Sequence, residues 1–220
     1  MSKKIFAYLG DYYHEFDLMK ESLSFVMKHL KLETDVTFDI RSVDTLVEDL
    51  KMEPDVVILS KENRLNPEDG KVNHWMDGEV AKNIASYVEG GGSWFAWHSG
   101  LASYDHIDTY VKMLRGHFTY HPPQANVTYE PVGHHPFTKG LARYEVWDEH
   151  YFVSFVENDT NIFLHSYSND GEAVAGWHHR YGKGRVVCFT PSHCREALFH
   201  PYSQQIMKNI IVWCLSESNR

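Results

Sequence analysis

Five short stretches of this sequence gather residues able to move protons or hold a cation. Ala96-Trp97-His98-Ser99-Gly100 closes an apolar run with a histidine set among small residues. A strand that turns abruptly through such residues has the geometry of a nucleophile elbow, which lifts one side chain above a sheet. Here that side chain is the His98 imidazole, whose ordinary pKa of roughly 6.5 suits acid/base work near neutrality. The plainer reading, a histidine that only caps a strand, stands beside it. Ser99 lies one place past the elbow centre and is placed as a substrate contact rather than a nucleophile. His193 follows a late apolar run in Thr190-Pro191-Ser192-His193, and His14 follows the first one in Gly10-Asp11-Tyr12-Tyr13-His14. His121 sits in a histidine- and proline-rich connection whose plain reading is a stiffened surface loop. Asp148-Glu149-His150-Tyr151 sets two carboxylates at a strand end, where one can act as acid or base or orient a histidine; solvated edge charges are the alternative. His134-His135 reads as a turn, and His165, His178 and His179 need no function.

An alternation of strands and helices must position these residues. Lys4 to Leu9 reads as a strand, and Phe16 to Leu30, apolar near helical spacing, as an amphipathic helix. Strands are expected at Asp35 to Ile40 and Asp55 to Ser60, with a short helix Val43 to Leu50 between them. The second is a continuous β-branched run of the kind buried on both faces of a parallel sheet. The spacing predicts a helix over Asp77 to Glu89 stopped by Gly90 to Gly92, then a strand Ser93 to Trp97. A helix Ser103 to Leu114 follows, with Ser103 as its N-cap. Gly116 to about Tyr144 reads as loop with one strand, Asn126 to Glu130. Strands follow at Tyr144 to Trp147, Ile162 to Ser166, Ala173 to His178 and Gly184 to Phe189, and Tyr202 to Leu215 closes as a helix. Right-handed crossovers then cover the sheet on both sides. The expected class is α/β: a flavodoxin-like, doubly wound, mostly parallel sheet with helices on both faces, in a single domain spanning 1–220. Ligands of such sheets bind beyond the carboxyl ends of the strands, where His14, His98 and His193 fall.

Composition narrows the partners. With 43% hydrophobic and 23% charged residues among 220, the chain has the profile of a soluble domain that builds a core without cross-links. Cys188, Cys194 and Cys214 are odd in number and lack zinc-ribbon spacing, which fits a reducing, cytoplasmic compartment. Ile5 to Leu9 is too short for an export signal, and Ile210 to Leu215 falls far short of the roughly 20 residues that span a bilayer. No membrane is expected. A formal net charge of -9 offers no footprint for phosphates, so nucleic acid is not expected either. A homo-oligomer stays open.

In order along the chain, Gly10 to His14, Glu89-Gly90-Gly91-Gly92, Trp97-His98-Ser99, Gly116-His117-Phe118, His135-Pro136-Phe137, Asp148-Glu149-His150-Tyr151, Tyr181-Gly182-Lys183-Gly184 and Ile211-Val212-Trp213 resemble the trehalose-utilization ThuA-like family. The resemblance covers nearly the whole chain and implies a scaffold like that of class I glutamine amidotransferases. Those enzymes keep a cysteine at the elbow, a histidine after a late strand, and a glutamate. His98 stands in place of the cysteine, which excludes thiol chemistry at the elbow, while His193 sits where the late histidine would. The late loop departs from the family's pattern, carrying Ser192 where relatives usually show glycine.

The resemblance also implies an enzyme of carbohydrate utilization, with 3-keto disaccharides among its candidate substrates. A keto group acidifies the neighbouring carbon, so isomerisation, elimination or hydrolysis at such a sugar calls for a base near neutrality. His98 and His193 are then the acid/base pair, Glu149 orients one of them, and His121 completes the catalytic set from the substrate side. Tyr12, His14, Ser99 and Asp148 are the substrate contacts; Tyr12 and Trp97 can stack on sugar rings, although core packing is the stronger reading of Trp97. No cofactor is fixed, but His98, His121, His193 and Glu149 could converge on one divalent ion, without the His-Glu-x-x-His signature that would mark it. The competing class is a catalytically silent sugar-binding or regulatory module on the same scaffold. Titratable residues gathered at strand exits argue against it. The reading makes three specific expectations: the four catalytic residues share one pocket, the His98 ring stands exposed in it, and no cysteine is needed.

Overall fold

The computed structural model describes residues 2–30 and 35–216. β1 (Lys3–Leu9), α1 (Phe16–Lys28), β2 (Val36–Ile40), α2 (Leu46–Leu50), β3 (Val56–Ser60), α3 (Gly78–Glu89) and β4 (Ser93–Trp97) follow the expected alternation. After them come α4 (Asp108–Leu114), β5 (Gly116–Tyr120), β6 (Ala125–Pro131), β7 (Tyr144–Asp148), β8 (Phe152–Phe155), β9 (Asn161–Ser168), β10 (Gly171–Tyr181), β11 (Gly184–Phe189), α5 (Arg195–Leu198) and α6 (Pro201–Leu215).

Nine strands form one sheet in the order β2-β1-β3-β4-β11-β10-β9-β6-β7, and β5 pairs with β8 in a separate ribbon. The pairings from β2 to β11 are parallel, and those from β11 to β7 are antiparallel. The sheet is therefore mixed rather than mostly parallel. The cause is local: tight connections such as Tyr181-Gly182-Lys183-Gly184 join neighbouring strands directly, which only antiparallel pairs allow.

Every residue of β3, β4 and β11 is buried, as strands covered on both faces must be. On one face Ile5, Ala7, Val56, Ile58 and Phe95 pack under α1 and α6. On the other, Phe6, Tyr8, Val57, Leu59 and Trp94 pack under α2, α3 and α4. Helices thus do lie on both faces of the parallel half. Among the described residues no helix is long and apolar enough to cross a membrane.

Two expected elements differ. The helix foreseen from Ser103 begins only at Asp108, because Ser103 sits in the left-handed region at φ +65°, closed to a helical N-cap. Its hydroxyl donates instead to Glu62. The connection read as loop contains β5, which pairs with β8, itself unforeseen; a two-stranded ribbon with half-exposed faces leaves little periodic signal.

The antiparallel half curls over the parallel one. Three strands separate β7 from β11, roughly 19 Å across a flat sheet at about 4.8 Å per strand. Yet Asp148 at the end of β7 bonds the loop after β11 at 2.7 Å. That curl brings a carboxylate-bearing segment above the strand exits.

Candidate functional site

Three exits from the parallel half each deliver a histidine. After β1, Gly10 turns at φ +78°, where a Cβ would meet Phe16 at 2.8 Å. Asp11 then accepts the amides of Tyr13 and His14 through one carboxylate oxygen and that of Glu62 through the other, locking this exit to the one after β3. The Asp11 oxygen that takes the Tyr13 and His14 amides, Oδ1, also lies 2.6 Å from His14 Nδ1. After β4 the chain turns through a 3-10 segment, His98–Leu101, with His98 itself left-handed at φ +46°. Gly100 there abuts the Leu59 carbonyl so closely that no Cβ fits. After β11, Ser192 takes φ +88°, the backbone form a glycine adopts without strain. The Asp148 carboxylate holds it there, accepting the amides of Ser192 at 2.7 Å and His193 at 2.8 Å and the Tyr129 hydroxyl at 2.8 Å.

The rings meet at one point. His98 donates through Nδ1 to the Thr190 carbonyl at 2.7 Å, which turns its Nε2 toward His193 Nδ1 at 3.3 Å and Glu149 Oε2 at 3.7 Å. Glu149 Oε2 lies 3.1 Å from His193 Nδ1, and Glu149 Oε1 lies 3.7 Å from His121 Nε2. The His14 ring stands edge-on to those of His98 and His193, with centroids 4.9 Å and 4.7 Å away. Tyr151 stacks on His98 at 4.1 Å. A cavity of about 390 Å³ opens above, lined by Tyr13, Glu62, Arg64, Phe118, His121 and Tyr151 among others, a volume in the range of small-ligand sites.

Burial and charge pull these groups apart electrostatically. Burial acts to raise the Asp11 carboxyl, but the hydrogen bond and charge of His14 outweigh it and bring it down to about 2. Burial also acts to raise Glu149, yet the neighbouring His193 and His98 rings draw it well below the carboxylate range. Desolvation lowers His98 against the pull of Glu149. In His193 the Glu149 bond overcomes burial and raises it. Glu62 on the wall is raised by burial, with Arg64 opposing. Such a cluster can bind a cation or exchange protons with a ligand in the cavity.

His98, His193, Glu149 and His121, taken as one set from the sequence, do lie together. The expected exposure of the His98 ring is corrected: it is fully buried, roofed by Tyr151 and reaching the others only through Nε2. Tyr12 is 62% exposed and packs on Tyr13, and it is Tyr13 that lines the cavity. Ser99 is fully buried behind His98, its hydroxyl 3.4 Å from that of Ser60. Asp148 is fully buried with both oxygens taken up, so it shapes the late loop and does not face a ligand. Trp97 is core, its indole donating to the Pro191 carbonyl. His14, cast as a substrate contact, stands inside the ring cluster with its Nε2 buried and unpartnered. Sequence reasoning passed over Asp11, Glu62, Arg64 and Tyr151; Asp11 and Glu62 were findable, since both stand at exits of adjacent parallel strands.

The family model described as ThuA, trehalose utilisation, matches residues 9–214. Solved structures similar to this chain include a ThuA-like protein from Bacteroides uniformis, 20% identical with a TM-score of 0.75, covering 99% of this chain and 93% of that one. Another, from Parabacteroides merdae, is 15% identical with a TM-score of 0.76, covering 100% and 92%. The β-galactosidase of Rahnella sp. R3 shares the fold over 96% of this chain and 31% of its own, at 11% identity and a TM-score of 0.63. No curated protein matches the sequence.

Proposed function

Since the chain belongs to the ThuA, trehalose utilisation, family, we propose that it is a carbohydrate-processing enzyme of the cytoplasm, acting on an oxidised sugar such as a 3-keto disaccharide through histidine and carboxylate groups. The observation that carries this is convergence: His14, His98, Glu149 and His193 come from four separate segments and offer polar atoms within 4.8 Å of one another, beneath a cavity that His121 also lines. Spending several titratable groups on one point suits proton transfer at a carbon beside a carbonyl better than passive recognition. The parallel half runs β2-β1-β3-β4-β11, the 2-1-3-4-5 order of flavodoxin-like sheets, and this supports the amidotransferase-like reading of the scaffold in a single domain. With His98 at the elbow and all three cysteines free, two of them buried in β11 and α6, thiol transfer is not part of the proposal.

The test is incubation with a panel of 3-keto and unmodified disaccharides, with products followed by NMR. Turnover of at least one keto sugar is expected, falling about 100-fold or more in kcat/KM for His121→Ala, the size of effect typical of a lost acid or base. Saturable binding of the panel without turnover would overturn the enzyme reading in favour of a sugar-binding module.

A further inference from the structure

Two ring donors of the cluster have a fixed direction: those of His98 and His14 point outward, and the second nitrogen of each points in. His98 must carry its proton on Nδ1, because the Thr190 carbonyl 2.7 Å away can only accept; in the neutral ring Nε2 is then a bare lone pair. His14 Nδ1 faces the Asp11 carboxylate at 2.6 Å, so its proton sits there too, and Nε2 is turned inward, buried and without a partner, on a residue only 6% exposed. Glu149 adds a carboxylate oxygen, and His193 Nδ1 lies 3.1 Å from it and 3.3 Å from His98 Nε2. Electron pairs converging in a buried space repel unless something positive sits among them, either a proton on His193 Nδ1 or a cation that replaces it.

We infer that His14 Nε2, His98 Nε2, His193 Nδ1 and a Glu149 oxygen form the binding site of one divalent first-row transition-metal ion. Ligands at about 2.1 Å from a common ion stand roughly 3.0 to 4.2 Å from one another in tetrahedral or octahedral arrangements. The observed separations of 3.1, 3.3 and 3.7 Å fall in that range, and one candidate ligand atom from each of the four residues lies within 4.8 Å of those of the others. The outer partners match as well, for metal-bound histidines commonly give their second nitrogen to a carboxylate or a backbone carbonyl. Asp11 and Thr190 are those two kinds of partner. Three imidazoles and one carboxylate select zinc, manganese, iron or cobalt over calcium and magnesium, which take oxygen ligands. His121, at 3.7 Å from the other Glu149 oxygen and 39% exposed, stays outside the ligand set.

Binding of the ion stands on geometry alone, while its catalytic use rests on the proposed sugar chemistry. There a bound ion would polarise a carbonyl or hydroxyl oxygen of the substrate, and the mobile proton would fall to His121 because the other rings are committed to holding the ion.

The experiment is titration of the chelator-stripped protein with Co²⁺ and Zn²⁺, each alone, followed by calorimetry and, for cobalt, by visible absorption. One ion per chain is expected, with a visible cobalt band and no displacement by a 1,000-fold excess of Mg²⁺ or Ca²⁺. His14→Ala should weaken binding at least 100-fold, and His134→Ala, an exposed histidine far from the cluster, should leave it within threefold. Asp11→Asn keeps all four ligands and should cost about 10- to 100-fold, which retains a test if His14→Ala does not fold. Absence of a 1:1 complex, or equal affinity in wild type and both site variants, overturns the inference. Neither result requires a sugar, so failure of the metal site and failure of the substrate reading are read separately.

Discussion

Replacing Asp148 by asparagine changes no volume, yet it should cost this fold more than most surface deletions. The carboxylate is fully buried and accepts three donors: the amides of Ser192 and His193 and the Tyr129 hydroxyl. An asparagine retains one acceptor oxygen and turns an NH₂ toward the other position. If that oxygen keeps Ser192 and Tyr129, the part-buried His193 amide faces a donor. One charge-assisted bond is lost, about 1.5 to 3 kcal/mol, and one amide is left unsatisfied, about 1 to 3 kcal/mol, so a net loss of about 3 kcal/mol after relaxation is the central expectation. At about 2 to 4 °C per kcal/mol for a domain of this size, the midpoint of thermal unfolding should drop by about 6 to 12 °C. Tyr129→Phe removes one donor and leaves the carboxylate two, so it should cost only about 1 kcal/mol. Differential scanning calorimetry of both variants in metal-free buffer separates them. An Asp148→Asn midpoint within 2 °C of wild type, or no lower than that of Tyr129→Phe, would refute the idea that this carboxylate anchors the late loop.

Gly100→Ala places a methyl group against the Leu59 carbonyl in a backbone that cannot yield, and a loss of about 1 to 3 kcal/mol is expected by chemical denaturation; an unchanged midpoint contradicts it. Acid should unfold the protein partly through His178 and His179, which burial lowers to about 4. Protons bind the unfolded rings first, so this stability is whole above about pH 6.5, is lost as pH falls toward about 4, and levels off below; at pH 5 the buried His179 accounts for about 2 kcal/mol. His179→Gln should therefore flatten the stability–pH slope between those limits, and an unaltered slope would show that the ring does not titrate as described. Changing Cys188, Cys194 and Cys214 together to alanine should leave turnover of any accepted sugar within a few-fold, with folding checked by circular dichroism, whereas a loss traced to Cys194 alone would restore thiol catalysis.

The parallel half was legible because its signals are local. The runs Asp55 to Ser60 and Ser93 to Trp97 read as strands from β-branched and aromatic content alone, and Gly90 to Gly92 mark where the helix between them stops. The ribbon of β5 and β8 was not legible, because what makes Phe152–Phe155 a strand is its pairing with residues more than thirty positions earlier. The site divides along the same line. His98 and His193 stand at strand exits, a position with general meaning in α/β sheets. The place of Glu149 depends on the curl of the antiparallel half, and the true duty of Asp148 on a bond to a loop 44 residues away. From the sequence His14 reads as a substrate contact because sequence shows neither its tether to Asp11 nor the depth to which that tether draws it.

The backbone at the site carries its own evidence. His98 and Ser192, both beside the ring cluster, are non-glycine residues in the left-handed region, a conformation that costs of order 1 kcal/mol or more and persists only where surroundings over-determine it. Both are over-determined here. His98 is fixed by its bond to Thr190 and by a neighbouring glycine that lets β3 approach; Ser192 is fixed by Asp148 through its amide and by the Ala197 carbonyl through its hydroxyl. A glycine at 192 would relieve the strain but would give up the second of those tethers. The serine thus trades backbone ease for a fixed position of the next residue, His193, whose Nδ1 lies within a few ångströms of His98 and Glu149. A binding surface that adapts to its ligand has no use for that trade, whereas a set of groups that must hold one point in space, whether for an ion or for a reacting proton, requires it.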